Sequence, residues 1–210
     1  MNKSRKQRLA MVIDTSKCFD CKACMVACKV ENRVPKGFWR NWVRNDGVGD
    51  RRRTQYQPGQ CMQCAEPSCV AACPVGATYP LDNGLVVIDP KMCIGCGNCV
   101  TACPYGARYR DPATHLADKC DFCRHRLARG QEPACVETCP TKARVFGDMN
   151  DPDSEVSKLA KQKKLVRIHA PQVETKPYIF YLAGTDLLDW ARTPVLPGNV
   201  HMPPGFWKQG

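Results

Sequence analysis

The sequence contains no long apolar run. No stretch approaches the roughly 18 consecutive apolar residues that a membrane-spanning helix needs, which excludes a transmembrane segment of its own. The N-terminus begins basic, and "SRKQRL" has some likeness to a twin-arginine signal. Only Leu9 to Ile13 follow as an apolar core, too short for a secretory signal. "RLAMVID" therefore reads as a first strand, and no export address of its own is expected. Histidine is scarce, at four residues (His115, His125, His169, His201), which read as surface or interface positions. Acidic residues are outnumbered, 20 against 31 Lys and Arg. Apolar residues make up only 43% of 210, beside 17 prolines and 15 glycines. One large or two small domains are possible, rich in loops and held by more than packing.

What the chain does have is 16 cysteines. They fall in four runs: Cys18, Cys21, Cys24, Cys28; Cys61, Cys64, Cys69, Cys73; Cys93, Cys96, Cys99, Cys103; and Cys120, Cys123, Cys135, Cys139. Each run ends C-x-x-x-C, and the last three finish in Cys-Pro. Dense disulfides belong to small secreted domains, whereas regular C-x-x-C units read as metal sites. The first and third runs, the latter "CIGCGNCVTACP", are C-x2-C-x2-C-x3-C. This is the ferredoxin spacing for a [4Fe–4S] cluster, with the fourth cysteine ligating the other cluster of a pair. Three cysteines on one tight loop wrap three corners of a cube, and the fourth lies about one helical turn further on. Structural zinc prefers two C-x-x-C pairs far apart. The fourth run alone could pass for that; the first and third carry a third cysteine that crowds each pair.

A four-iron site with four thiolates carries roughly −2. Four would remove about 8 of the 11 formal positive charges, so basicity gives little reason to expect nucleic acid, and no nucleic-acid partner is expected. Between the runs, "GATYPLDNGLVVIDPKMC" holds an Asn83-Gly84 hairpin signal. "GARYR" and "ARVFGD" read as strands, "DSEVSKLAKQKKL" as a capped helix and "KPYIFYL" as a strand. Within the C-x-x-C loops, Phe19, Met62, Ile94 and Phe122 are expected to shield sulfur from water. Asp20 and Asp121 are candidates to lower a cluster's potential, and Lys22 to raise it. Arg51 to Arg53 form a candidate docking patch or a solvated loop. Trp190, Phe206 and Trp207, in a Pro- and Gly-rich tail, suggest an arm lying on a partner.

With these residues in view, the chain resembles the four-cluster iron–sulfur subunits of molybdopterin oxidoreductases of the dimethyl sulfoxide reductase type. It is most similar to the electron-transfer subunits of polysulfide and thiosulfate reductases, with tetrathionate and arsenate relatives close. The most specific signature is "KCDFCRHRLARGQEPACVETCPTKARVFGDMNDPDSEVSKL", Lys119 to Leu159. The resemblance covers Leu9 to about Gly184. It implies an α+β fold of two interleaved ferredoxin-like bicluster units plus a C-terminal extension. Residues 1–53 and 111–150 would form the first unit, 54–110 an inserted second unit, and 151–210 an extension contacting partner subunits.

The resemblance also implies the ligand sets. Cys18, Cys21 and Cys24 would share a cluster with Cys139; Cys120, Cys123 and Cys135 with Cys28. Cys61, Cys64 and Cys69 would share one with Cys103; Cys93, Cys96 and Cys99 with Cys73. Some relatives place Trp at the position of Cys96 and hold a three-iron cluster there; this chain keeps the cysteine, so four [4Fe–4S] clusters are expected. Lys29 stands where the other runs have Pro and leaves the first helix free to continue. The long insertion of some arsenate-reductase relatives between runs three and four is absent, which leans toward a sulfur-compound enzyme. The implied role is a non-catalytic electron-transfer subunit between an integral-membrane quinol-reactive anchor and a large molybdopterin catalytic subunit. The implied location is peripheral on the cytoplasmic membrane, on the outer face by co-export with the catalytic subunit, or alternatively on the cytoplasmic face. A free-standing polyferredoxin serving a hydrogenase or formate dehydrogenase is the second reading, and a zinc-binding nucleic-acid module the third.

Overall fold

A computed structural model describes residues 6–44, 56–162, 165–170 and 173–182. Arg51 to Arg53, His201 and the aromatic tail residues Trp190, Phe206 and Trp207 lie outside them. The strands are β1 (Leu9–Asp14), β2 (Asn41–Arg44), β3 (Gln57–Gln60), β4 (Thr78–Pro80), β5 (Val86–Ile88), β6 (Arg108–Arg110), β7 (Ala117–Lys119), β8 (Arg144–Asp148), β9 (Leu165–Val166) and β10 (Ile179–Leu182). The helices are α1 (Ala23–Glu31), α2 (Ser68–Ala71), α3 (Asn98–Thr101), α4 (Arg124–Leu127), α5 (Ala134–Glu137) and α6 (Glu155–Gln162). The fold class is thus mixed helix and strand, with small sheets. Among the described residues no helix is long and apolar enough to cross a membrane.

β1 is buried along its whole length, which explains why "LAMVID" shows no polar alternation. It lies between β8, antiparallel, and β10, parallel, in a sheet of order β8-β1-β10-β9. Side chains alternate across a strand. Leu9, Met11 and Ile13 therefore enter the main core with the cysteines, while Ala10 and Val12 pack with Val156 and Phe180 under α6. After residue 150 the described chain up to Leu182 folds back, β10 pairing with β1, and Ile179 and Tyr181 are wholly buried. The physical reason is that β1 has two edges, and β8 covers only one of them.

The remaining strands form three two-stranded hairpins or ribbons: β2-β3, β4-β5 and β6-β7. At the β4-β5 turn Gly84 alone is left-handed, at φ +83°, its N–H donates to the Leu81 carbonyl at 2.9 Å, and the Asn83 carboxamide oxygen accepts from the Leu85 N–H at 3.2 Å; this is the longer hairpin loop with glycine at its left-handed position and not the two-residue Asn-Gly turn. Helices α2 to α5 are single turns of four residues, too short to persist alone. Only α1, with Lys29 in place of proline, runs to nine residues. Gly59 in β3 lies under the Trp42 indole, where a Cβ would come within 2.5 Å of ring atoms.

Candidate metal centres

All 16 cysteines are free thiols, and the chain folds them around four cavities. The first, of about 350 Å³, is lined by Cys18, Cys21, Cys24 and Cys139. The second, of about 260 Å³, is lined by Cys28, Cys120, Cys123 and Cys135. The third, of about 340 Å³, is lined by Cys61, Cys64, Cys69 and Cys103, and the fourth, of about 290 Å³, by Cys73, Cys93, Cys96 and Cys99. Each cavity brings three cysteines of one run together with the last cysteine of another. The four thiols surround a chamber instead of converging on a point. Among the described residues no three His, Cys, Asp or Glu side chains are placed to hold a single metal ion, whereas tetrahedral zinc needs sulfurs about 2.3 Å from one centre. His115, His125 and His169 are exposed and line none of these cavities.

The donor set fits an iron–sulfur group. Thiolate sulfur is the soft ligand that selects such clusters. Burial pushes the Cys64 thiol up to about 12 and those of Cys69 and Cys135 up to about 11, with Cys28 and Cys120 raised further by the same cause. Buried thiols of this kind ionise only when positive charge is placed beside them. Two arginines supply a complementary sign. Arg108 and Arg144 are each only 2% exposed, line the third and first cavities, and are paired with no carboxylate among the described residues. Arg144 Nη2 is buried without a hydrogen-bond partner. An uncompensated buried guanidinium is costly, and an anionic cluster offsets that cost.

The crossing cysteines that end the runs receive backbone donors. In the Cys-Pro-x-x-Ala turns after Cys73 and Cys139, burial opposes ionisation. Main-chain N–H groups outweigh it: those of Val75 to Thr78 for Cys73, and those of Ala143, Arg144 and Thr141, with the Thr141 hydroxyl, for Cys139. Both thiols are left below their ordinary range. The Ala143 N–H donates to Cys139 Sγ at 3.3 Å. The first run has no such turn. There the Asn32 amide, on the residue after α1, donates to Cys28 Sγ and Cys123 Sγ, both at 3.5 Å. Arg40 donates to Asn32 Oδ1 at 2.8 Å and is itself held by Asp118 at 2.6 Å.

The shielding expected of four loop residues holds for two. Met62 is 3% and Phe122 1% exposed, but Phe19 and Ile94 are 55% and 63% exposed. The reason is position: Phe19 and Ile94 line the first and fourth cavities, at the two ends that carry the exposed sulfurs of Cys21 and Cys96. The charged candidates are compensated. Asp20 pairs with Lys22, and Asp121 accepts from the Cys123 N–H and lies 3.5 Å from Arg40. Between the second and third cavities the seam is filled by hydrogen-bonded polar side chains. Buried Gln63 donates to the Cys120 carbonyl and accepts from the Val86 N–H, both at 2.9 Å, and buried Lys119 donates to the same Cys120 carbonyl. Sequence reasoning missed Asn32, Arg108 and Arg144. The arginines carried a signal, since "CPYGAR" and "CPTKAR" repeat one spacing.

Residues 52–149 match a model of the 4Fe-4S dicluster domain, and residues 17–77 match a second 4Fe-4S dicluster model. Over 211 residues the sequence is 40% identical to a tetrathionate reductase subunit of Salmonella typhimurium, covering 98% of this chain and 82% of that one. The protein belongs to the family of iron–sulfur subunits of tetrathionate, polysulfide and thiosulfate reductases. It is 41% identical to a polysulfide reductase chain of Wolinella succinogenes, over 83% of its own length and 93% of the relative. To the thiosulfate reductase electron transfer subunit PhsB of Salmonella typhi it is 44% identical, over 75% and 83%. As a 4Fe-4S dicluster protein with 16 cysteines, it has the ligand complement of four [4Fe–4S] clusters.

Proposed function

We propose that this chain is the non-catalytic electron relay of a sulfur-compound reductase of the polysulfide, thiosulfate or tetrathionate type. It carries one [4Fe–4S] cluster in each four-cysteine cavity and no substrate site. The ligand sets are Cys18, Cys21, Cys24 and Cys139; Cys28, Cys120, Cys123 and Cys135; Cys61, Cys64, Cys69 and Cys103; and Cys73, Cys93, Cys96 and Cys99. When bound, each cluster takes up and passes on one electron. Pairing of β1 with β8 and packing of α1 on α5 support one bicluster unit built from runs one and four. Packing of α2 on α3 supports a second unit inserted within it.

The observation that carries the reading is where the exposed sulfurs fall. Of 16 cysteines only Cys21 and Cys96 are exposed, and they line the first and fourth cavities. The cavities between adjoin in series. Arg144 of the first donates to Gln60 of the second, Gln63 bonds both Cys120 of the second and Val86 of the third, and Arg108 of the third donates to Thr78 of the fourth. A row with two accessible ends is what a relay needs. In this reading a membrane quinol-reactive subunit delivers electrons at the Cys96 end, and a molybdopterin subunit takes them at the Cys21 end. The chain then sits peripherally on the cytoplasmic membrane, on its outer face.

Replacing Cys96 with Ser and following quinol-linked and artificial-donor activities separately tests the order. The quinol reaction is expected to fall at least about tenfold while the artificial donor, entering further along, still reduces the catalytic subunit. Loss of the artificial-donor reaction with the quinol reaction kept refutes this polarity.

A further inference from the structure

Arg108 and Arg144 occupy the same place in the two halves of the cysteine pattern. Each stands five residues after a crossing cysteine, Cys103 or Cys139, in Cys-Pro-x-x-Ala-Arg. Each begins a strand, β6 or β8, whose pairing fixes the backbone beneath the guanidinium. Arg108 Nη2 donates to Cys69 Sγ in the third cavity at 2.9 Å. Its Nη1 donates at 3.1 Å to the hydroxyl of Thr78, which lines the fourth. Arg144 lines the first cavity, and its Nη1 donates to the carboxamide oxygen of Gln60, which lines the second. Neither has a carboxylate partner among the described residues, so the charge of each is balanced by sulfur alone.

We propose that Arg108 and Arg144 are potential-setting positioning residues, each a fixed positive charge shared by the two clusters of its own unit. The proposal rests on the cluster assignment above. When one electron passes from a neighbouring donor to a cluster, the site gains one negative charge. Arginine stays protonated, so no proton moves with the electron. A buried cation a few ångströms away stabilises that reduced form more than the oxidised one, through a medium of low dielectric. Both clusters of a unit are therefore held at higher potential, and the two units are set separately.

The test is an EPR-monitored redox titration of the full chain with its co-purifying subunits, alongside iron analysis. Arg144→Gln is expected to lower the reduced-to-oxidised ratio of the clusters in the first and second cavities at least tenfold at the wild-type midpoint, about 59 mV. The other two clusters should move less than about threefold. Arg108→Gln gives the mirror image. Arg→Lys at either site keeps the charge and should stay within about threefold of wild type. Full iron with unshifted potentials in the Gln variants overturns the proposal, as does an equal shift of all four clusters. If a Gln variant loses iron, its Lys counterpart decides. Full iron at wild-type potential supports a charge role, whereas iron loss or a tenfold drop there shows that guanidinium shape matters and overturns it. Wild-type protein without about 16 iron atoms and cluster signals would instead refute the cluster assignment itself.

Discussion

The parts built around runs one and four and around runs two and three solve the same problem differently. Around runs two and three, both crossing cysteines, Cys73 and Cys103, are followed by Cys-Pro-x-Gly-Ala turns whose N–H groups reach back to sulfur. Gly76 and Gly106 supply the positive φ these turns need. Around runs one and four, Cys139 has such a turn with Lys142 at φ +53°, but Cys28 sits inside the nine-residue α1 and has none. Asn32 stands in, oriented by Arg40 and Asp118. Past its first turn, where Cys28 lies, a helix donates no backbone N–H outward, because its own carbonyls take them. A side-chain amide is then the available donor. The requirement is N–H groups around a sulfur that must carry negative charge; the backbone that provides them is free to vary.

The largest expected effect contrasts the interior of the row with its end. Cys120 is buried at the seam between the two parts, whereas Cys96 is exposed at one extremity. Cys120→Ser should remove at least about 4 of about 16 iron atoms and cut transfer along the row at least about 100-fold, by any entry point. It should also lower thermal stability, because a buried site loses its bound group. Cys96→Ser should affect only its own cavity and leave the melting temperature near wild type. Iron-to-protein ratios and thermal melts check this. Equal losses in both variants would erase the distinction between interior and end.

That distinction was only half legible in the sequence. Ligands three residues apart are local, so in the first and third runs the spacing alone pointed to three cysteines facing one cluster. The Asn83-Gly84 turn and the apolar run of β1 from Leu9 to Ile13 were legible for the same reason. Exposure was not. Phe19 and Ile94 occupy loop positions like those of Phe122 and Met62, yet the first pair is exposed and the second buried. Nor does sequence order show that β10 lies parallel beside β1, 168 residues away. Asn32 became visible as a sulfur donor only when α1 brought it between Cys28 and Cys123.

Asn32→Ala removes the donor that distinguishes the first run. Loss of hydrogen bonds to a charged acceptor costs about 1.5–3 kcal/mol, and the loss falls mostly on the reduced, more negative state. The cluster of the second cavity should therefore drop in potential while the other three hold. Asn32→Asp should lower it further, since a carboxylate adds like charge and donates nothing. Thr141→Ala, at the backbone-served Cys139, should change little, because main-chain N–H groups remain. Redox titration separates the three.

Lys142 against Gly76 sharpens the comparison of the turns themselves. A Cβ at Gly76 would meet nothing within 4 Å, yet its φ is +65°. Gly76→Ala should cost about 1 kcal/mol from left-handed backbone alone. Lys142→Gly relieves the same strain but gives the unfolded chain more freedom, so the two terms largely cancel to within about 0.5 kcal/mol. Denaturant melts of matched, iron-loaded samples compare them.

The smallest effect concerns a surface network that ties α1 to α4 and α5. Glu31 accepts from His125 at 2.6 Å and Arg126 at 2.8 Å, and Arg126 also reaches Glu137. Hydrogen bonds from His125 and then Arg126 hold the Glu31 carboxyl below its ordinary 4.5. A depressed carboxylate contributes stability that is present above the unfolded value and lost as pH falls through the folded one. Glu31→Gln should therefore matter at pH 7 and not at pH 3. Because the network is solvent-facing, its worth is no more than about 1 kcal/mol and shrinks with salt. Among the described residues no ion pair joins α2 to α3, and Glu66 of the second run pairs singly with solvent-exposed Lys176, so the part around runs two and three should show a smaller acid-sensitive step. Thermal melts of wild type and Glu31→Gln at pH 7 and below pH 4, at low and high salt, test both halves of that statement.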